Sequence, residues 1–285
     1  MRILLGQLAP VPGDIDRNVE RVVSLLGSAP CDLAVFPELF LSGYRIGDRV
    51  HRLALSDGSS AMTRLSEAAR SRGTAIVVGA PLASSSRAGE VHNAALLVRP
   101  DGGHASQVKR YLPTFGPFEE GVQFTPSDRS TPVPLGSVSL GLEVCYDVFF
   151  PEVSRDLALA GADLLIVISA SPVTSRRLFE RLLPARAIEN AVPVVYVNRV
   201  GVEDGVVFGG GSEAWSPRGE PIAGTTASFE SAAPEESATL IEIDPAEAAH
   251  WRPFRPVLRD IAGRPGSPEG RGSPSGVRSI PTRPL

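Results

Sequence analysis

Apolar residues along the chain gather in short runs, separated by stretches where they recur every three or four positions; these are the signatures of strand and helix. The runs at 3–8, 33–36, 75–79, 94–98, 138–144, 164–169 and 194–197 predict strands, and the periodic stretches at 16–26, 61–72, 151–160 and 178–190 predict helices. Several strand runs are apolar at every position, as expected where both faces of a sheet are buried. Alternation of the two element types predicts an α/β fold. Further on, Ser216-Pro217-Arg218-Gly219 predicts a turn between two strands. Asp244-Pro245-Ala246-Glu247 predicts a helix start, with a cap, a proline at the first position and a carboxylate three residues after the cap.

The pattern of folded elements ends near residue 260, so residues 1–260 are read as one domain. Residues 261–285 are dense in Pro, Gly, Ser and Arg, with few large apolar side chains. Such a segment cannot offset its ordering entropy with a core of its own, and it is expected to be a flexible or subunit-docking tail. A net charge of −4 and the lack of any basic stripe exclude nucleic acid and anionic membranes as implied partners. The apolar runs are too short to cross a bilayer and the first residues lack the regions of a signal peptide, so the protein is expected in the cytoplasm.

Composition also marks single residues. The chain carries 28 basic residues, and all but Lys109 are arginine. An arginine serves equally well on a solvated face, but its broad fork cannot imitate a compact ammonium in a tight site. Lys109 is therefore either a functional ammonium or a chance surface lysine paired with the acidic loop after it. The two cysteines cannot build a disulfide framework. Cys31 opens a strand-like run and reads as structural. Cys145 ends the run 138–144 and precedes the helix signal at Pro151, so it is either a nucleophile on a strand-to-helix elbow or a buried small residue. Glu38 follows the buried run 33–36 in an apolar neighbourhood, where a carboxylate is costly without a partner; it is either a general base or a structural loop cap. Arg176 and Arg177 follow a strand end, where they could fork a substrate carboxylate or open the next helix in solvent. His51, His92, His104 and His250 show no metal-ligand spacing, and neither a metal nor an organic cofactor is implied.

Together Phe36-Pro37-Glu38, Lys109, Cys145-Tyr146-Asp147 with Phe150-Pro151-Glu152, and Asn198-Arg199-Val200-Gly201 resemble the nitrilase superfamily of carbon–nitrogen hydrolases over nearly all of residues 1–250. The resemblance implies a four-layer α-β-β-α sandwich, usually paired as a homodimer or higher oligomer. It also implies a Glu–Lys–Cys triad at Glu38, Lys109 and Cys145. The family's additional glutamate falls on Glu120, with Glu119 as the alternative. Tyrosine and aspartate after the cysteine look more like amidases than true nitrilases. The implied activity is hydrolysis of a small-molecule carboxamide through a thioester, with the Tyr146 backbone N–H and Lys109 holding the oxyanion.

The segments 112–120 and 197–201 also resemble the glutaminase domain of glutamine-dependent NAD synthetases. Its glutamine pocket carries over in part: Phe149, Ser171 and Arg177 match its phenylalanine, serine and basic residue, whereas Phe115 stands where that domain has a tyrosine and Tyr146 where it has a glutamate. Two further readings follow from these resemblances: an ammonia-supplying partner of a separate synthetase or transferase, and a true nitrilase.

Overall fold

Residues 1–222 and 235–263 are described in the computed structural model of the chain. The strands are β1 (Arg2–Gln7), β2 (Leu33–Val35), β3 (Ala75–Ala83), β4 (Val91–Val98), β5 (His104–Val108), β6 (Val133–Leu135), β7 (Val138–Val144), β8 (Leu164–Ser169), β9 (Val194–Asn198), β10 (Val202–Glu203), β11 (Val206–Val207), β12 (Glu213–Trp215) and β13 (Ser237–Glu242). The helices are α1 (Ile15–Leu26), α2 (Val50–Leu53), α3 (Ser60–Arg72), α4 (Glu120–Gln123), α5 (Pro151–Leu159), α6 (Arg176–Asn190), α7 (Glu247–Trp251) and α8 (Val257–Ala262).

Two main sheets form. One has six strands in the order β13-β1-β2-β3-β4-β5; the other has five in the order β12-β9-β8-β7-β6. Side-chain alternation assigns the layers. Ile3, Leu5, Val35 and Val77 of the first sheet pack in one cluster with Leu142, Val144, Ile166 and Val197 of the second, so the sheets lie face to face. The alternate residues Leu4, Ile76 and Val78 pack on Val19 and Val22 of α1 and Leu65 of α3. On the far side, Leu165, Val167 and Val194 pack on Leu157 of α5 and Leu183 of α6. The result is the α-β-β-α sandwich implied by the family motifs. Local signals set the helix ends: Asp14 accepts a hydrogen bond from Arg17 N at the start of α1, and Gly73 adopts φ +63° at the end of α3.

The predicted strands at 138–144 and 164–169 are observed with those bounds as β7 and β8. Other elements differ. β3 and β4 are longer than their apolar runs because they pair as an extended antiparallel ladder, Ile76 with Val98 through Ala83 with Val91. β5 went unpredicted: it is a sheet-edge strand, His-Ala-Ser-Gln-Val, whose outward positions need no apolar residue. The turn at 216–219 closes with Gly219 N on Ser216 O at 2.8 Å, but the strand after it shrinks to a single bridge, Trp215 to Pro221. Of the predicted tail, residues 261 and 262 form the end of α8, and 264–285 lie outside the described residues. No helix among the described residues is long and apolar enough to cross a membrane.

β1, β2 and β3 run parallel, as do β7, β8 and β9. Parallel strands place their carboxyl ends on one rim, where open α/β sheets bind ligands. The residues that follow β2, β5, β7 and β8 are those the sequence marks for chemistry.

Candidate active site

Glu38 lies just beyond β2 on a loop that crosses the sheet closely. Gly79 N donates to Pro37 O at 3.0 Å and Leu41 N donates to Gly79 O at 3.1 Å. Leu39 takes φ +47° to complete the crossing. A Cβ at Gly79 would sit 2.3 Å from Leu39 N and 2.5 Å from the Glu38 Cα, so only glycine lets the loop settle there. The Glu38 carboxylate is fully buried. Its Oε1 accepts from Lys109 Nζ and Asn93 Nδ2, both at 2.7 Å, and its Oε2 accepts from Ala170 N, just past β8, at 2.8 Å. One carboxylate thus joins the rims of both sheets.

Lys109 follows β5, and its backbone N donates to Asn93 O across the edge of the sheet at 2.9 Å. Its side chain is fully buried, with Nζ 2.7 Å from Glu38 Oε1 and 2.7 Å from Glu120 Oε1. Burial opposes the ammonium, but the charges of Glu120 and Glu38 outweigh it and hold the pKa above the ordinary lysine value. Glu120 opens α4 and is buried, whereas Glu119 is exposed. The buried one is therefore the partner of Lys109. Glu120 also accepts from the Tyr44 hydroxyl and from Asn93 Nδ2, the latter at 3.2 Å. Burial and the Glu38 charge push its carboxyl up to about 7, against the opposing effects of Lys109 and Tyr44.

Cys145 stands immediately after β7 with φ +49°, an unfavourable value for a non-glycine residue and the mark of a strained elbow. The chain continues through a 3-10 turn, Cys145–Phe149, into α5. Ser169 Oγ donates to the sulfur at 3.1 Å. A resting thiolate is not favoured here. Burial and the Glu38 charge push the thiol up, and Lys109 offsets this only in part. The arrangement suits a thiol that loses its proton during attack. Asp147, two residues on, accepts from Val144 N at 3.3 Å, Arg110 N at 3.1 Å and Tyr111 N at 2.9 Å. It therefore ties the elbow to the segment that carries Lys109.

A cavity of about 120 Å³ opens over Cys145, walled by Phe115, Phe118, Tyr146, Phe149, Leu178 and Phe179, with Ser171 also reaching it. The sequence-marked residues Phe115, Tyr146, Phe149 and Ser171 thus meet at the thiol. Arg177 does not. It is exposed at the start of α6, because Ser175 and Leu178 take the inward positions of that turn. Arg176 pairs with Glu180 at 3.9 Å. No group of three or more His, Cys, Asp or Glu residues with the geometry of a metal site occurs among the described residues.

Sequence reasoning missed Tyr44, Asn93 and Ser169. An asparagine inside the largely apolar β4 was the one available signal, since a buried amide needs partners. The motif at 198–201 also finds its place. Asn198 accepts from Ser171 N at 2.8 Å and donates to Ser171 O at 3.0 Å and Gly210 O at 2.9 Å, which fixes the cavity wall. Arg199 pairs with Glu203, and Glu203 Oε1 accepts from the backbone N of Tyr44 and of Arg45, each at 3.1 Å. The motif thereby holds the loop that carries the Tyr44 phenol.

The fold is that of the nitrilase superfamily. The chain belongs to the carbon–nitrogen hydrolase family, whose sequence model matches residues 2–253. It is 36% identical over 225 residues to an (R)-stereoselective amidase of a Pseudomonas species, covering 78% of this chain and 80% of that protein. It is 33% identical over 274 residues to the glutamine-dependent NAD(+) synthetase of Rhodobacter capsulatus, covering 94% of this chain but only 47% of the synthetase. Among solved structures, an alanine variant of the amidase from Nesterenkonia sp. AN1, in complex with butyramide, superposes with a TM-score of 0.76 at 31% identity, covering 91% of this chain and 93% of that one.

Proposed function

We propose that the protein hydrolyses a small carboxamide by covalent catalysis at Cys145. The observation that carries this reading is the buried ammonium of Lys109, held 2.7 Å from Glu38 and 2.7 Å from Glu120 at the rim that also bears the strained cysteine. Glu38 takes the thiol proton as the sulfur bonds to the carboxamide carbon, and the carbonyl electrons move to oxygen. The oxyanion is stabilised by Lys109 and the Tyr146 backbone N–H. Collapse breaks the C–N bond, the leaving nitrogen takes the proton from Glu38, and ammonia or an amine departs. A thioester remains on Cys145. Water then attacks this thioester, giving its proton to Glu38; the acid leaves and the proton returns to sulfur. Glu120, oriented by Tyr44 and Asn93, holds Lys109 from the other side and aligns the leaving group.

The likeness to amidases from Pseudomonas and Nesterenkonia supports amide over nitrile chemistry. The test is ammonia release from a panel of simple amides, with intact-mass spectrometry during turnover. Wild-type protein is expected to release ammonia and to gain the acyl mass at Cys145. Cys145→Ala is expected to do neither. Turnover by Cys145→Ala, or acid release from nitriles faster than from the matching amides, overturns the reading.

A further inference from the structure

We infer that the carboxamide this site takes is uncharged and carries an apolar, preferably aromatic, acyl group, which excludes amino-acid ω-amides such as glutamine. The inference rests on the hydrolase reading above and concerns the part of the substrate away from the reacting carbon.

The cavity wall is a chain of aromatic rings. Tyr146 lies 5.4 Å from Phe115 and 5.4 Å from Phe149, and Phe149 lies 5.4 Å from Phe179, centroid to centroid. Such spacings offer ring edges and faces to a flat or branched apolar guest. Phe115 and Leu178 line the same cavity while remaining 54% and 49% exposed, so apolar surface extends to the mouth. A guest that covers it gains from burial in proportion to its own apolar area.

Among the described residues, no Lys, Arg, Asp or Glu lines this cavity. The charged groups of the site are already matched: Lys109 to Glu38 and Glu120, and Arg176 to Glu180. Arg177, the cation that could have met a carboxylate, faces solvent. An α-ammonium and α-carboxylate brought into this wall would lose hydration without gaining a counter-charge. The polar side chain that does wait there is neutral. It is Ser171, whose side chain is buried at the cavity beside the Tyr196 hydroxyl. A hydroxyl satisfies a neutral acceptor or donor of the ligand but cannot neutralise an ion.

The experiment has a binding arm and a turnover arm. Cys145→Ala is titrated calorimetrically with benzamide, isobutyramide, succinamic acid and L-glutamine, and kcat/KM is measured for the same compounds with the wild-type enzyme. Benzamide is expected to bind at least about 10-fold tighter than succinamic acid or glutamine, and to be turned over at least about 100-fold more efficiently. Leu178→Arg, which places a cation at the mouth, is expected to narrow the succinamic acid deficit by at least about 10-fold. Glutamine or succinamic acid equal to or better than benzamide in either arm overturns the inference. If benzamide binds selectively to Cys145→Ala but the wild type releases no ammonia from any compound, the hydrolase reading fails and the ligand class stands.

Discussion

Lys109 Nζ lies 2.7 Å from Glu38 Oε1, although 71 residues separate the two in the chain. The contact is fully buried on both sides, and a second carboxylate, that of Glu120, meets the same ammonium at 2.7 Å. A compact cation with three donors fits between two carboxylates at that spacing. A guanidinium needs more width and presents its donors in a plane.

Lys109→Arg is therefore expected to lower kcat/KM by at least about 100-fold despite keeping the charge, a loss typical of misplacing a group that stabilises the oxyanion. Steady-state ammonia release measures it. Near-wild-type rates would remove Lys109 from the mechanism.

Glu120 titrates near neutrality, and the sign of its effect follows. Its carboxyl is raised to about 7 by burial and by Glu38, so the ionised form that faces Lys109 prevails only above that value. The rate is expected to rise with pH through about 7. Tyr44 opposes the rise in pKa by donating to Glu120, so Tyr44→Phe is expected to move the rising limb to higher pH. A limb that shifts down, or Glu120→Gln with an unchanged profile, contradicts the assignment.

Glu143 supplies a stability prediction independent of turnover. It is fully buried in β7, with Ser154 Oγ donating to it at 2.7 Å, and burial raises its pKa from 4.5 to about 7. The unfolded chain releases this proton near the lower value and the folded chain near the higher. Between them the folded state binds more protons, and the contribution of Glu143 to stability falls as pH rises through that window. Glu143→Gln removes the titration while keeping a hydrogen-bonding group. Relative to wild type it is expected to gain up to about 3 kcal/mol at pH 8 and little at pH 4.5, at about 1.36 kcal/mol per unit. Denaturant titrations at both pH values check this; an unchanged difference would show that Glu143 does not titrate in the window.

Gly79→Ala tests the support under Glu38. The added Cβ would lie 2.3 Å from Leu39 N and 2.4 Å from Pro37 O, both backbone atoms that cannot move aside without shifting the Glu38 loop. The expected loss is at least about 2 kcal/mol of stability, as for overpacking elsewhere, with activity falling further than the folded fraction. Urea unfolding beside activity per folded molecule separates the two effects.

The layered fold was largely legible along the chain because the buried strands are apolar on both faces. β7 and β8 occupy 138–144 and 164–169 as predicted, and in β8 one alternating set of residues packs on the other sheet while the other packs on α5 and α6. β5 was not legible, since an edge strand with polar positions carries no such pattern. Glu38, Lys109 and Cys145 stood out through their local motifs and one compositional oddity. Their environment did not. Ala170 N reaches Glu38 across 132 residues, Asn93 across 55, and Tyr44 reaches Glu120 across 76. Periodicity reports which face of an element is apolar, whereas these partners depend on how two sheets align their carboxyl ends. The same alignment turned Arg177 outward and left an aromatic wall over the thiol, a distinction that two adjacent arginines in a sequence cannot express.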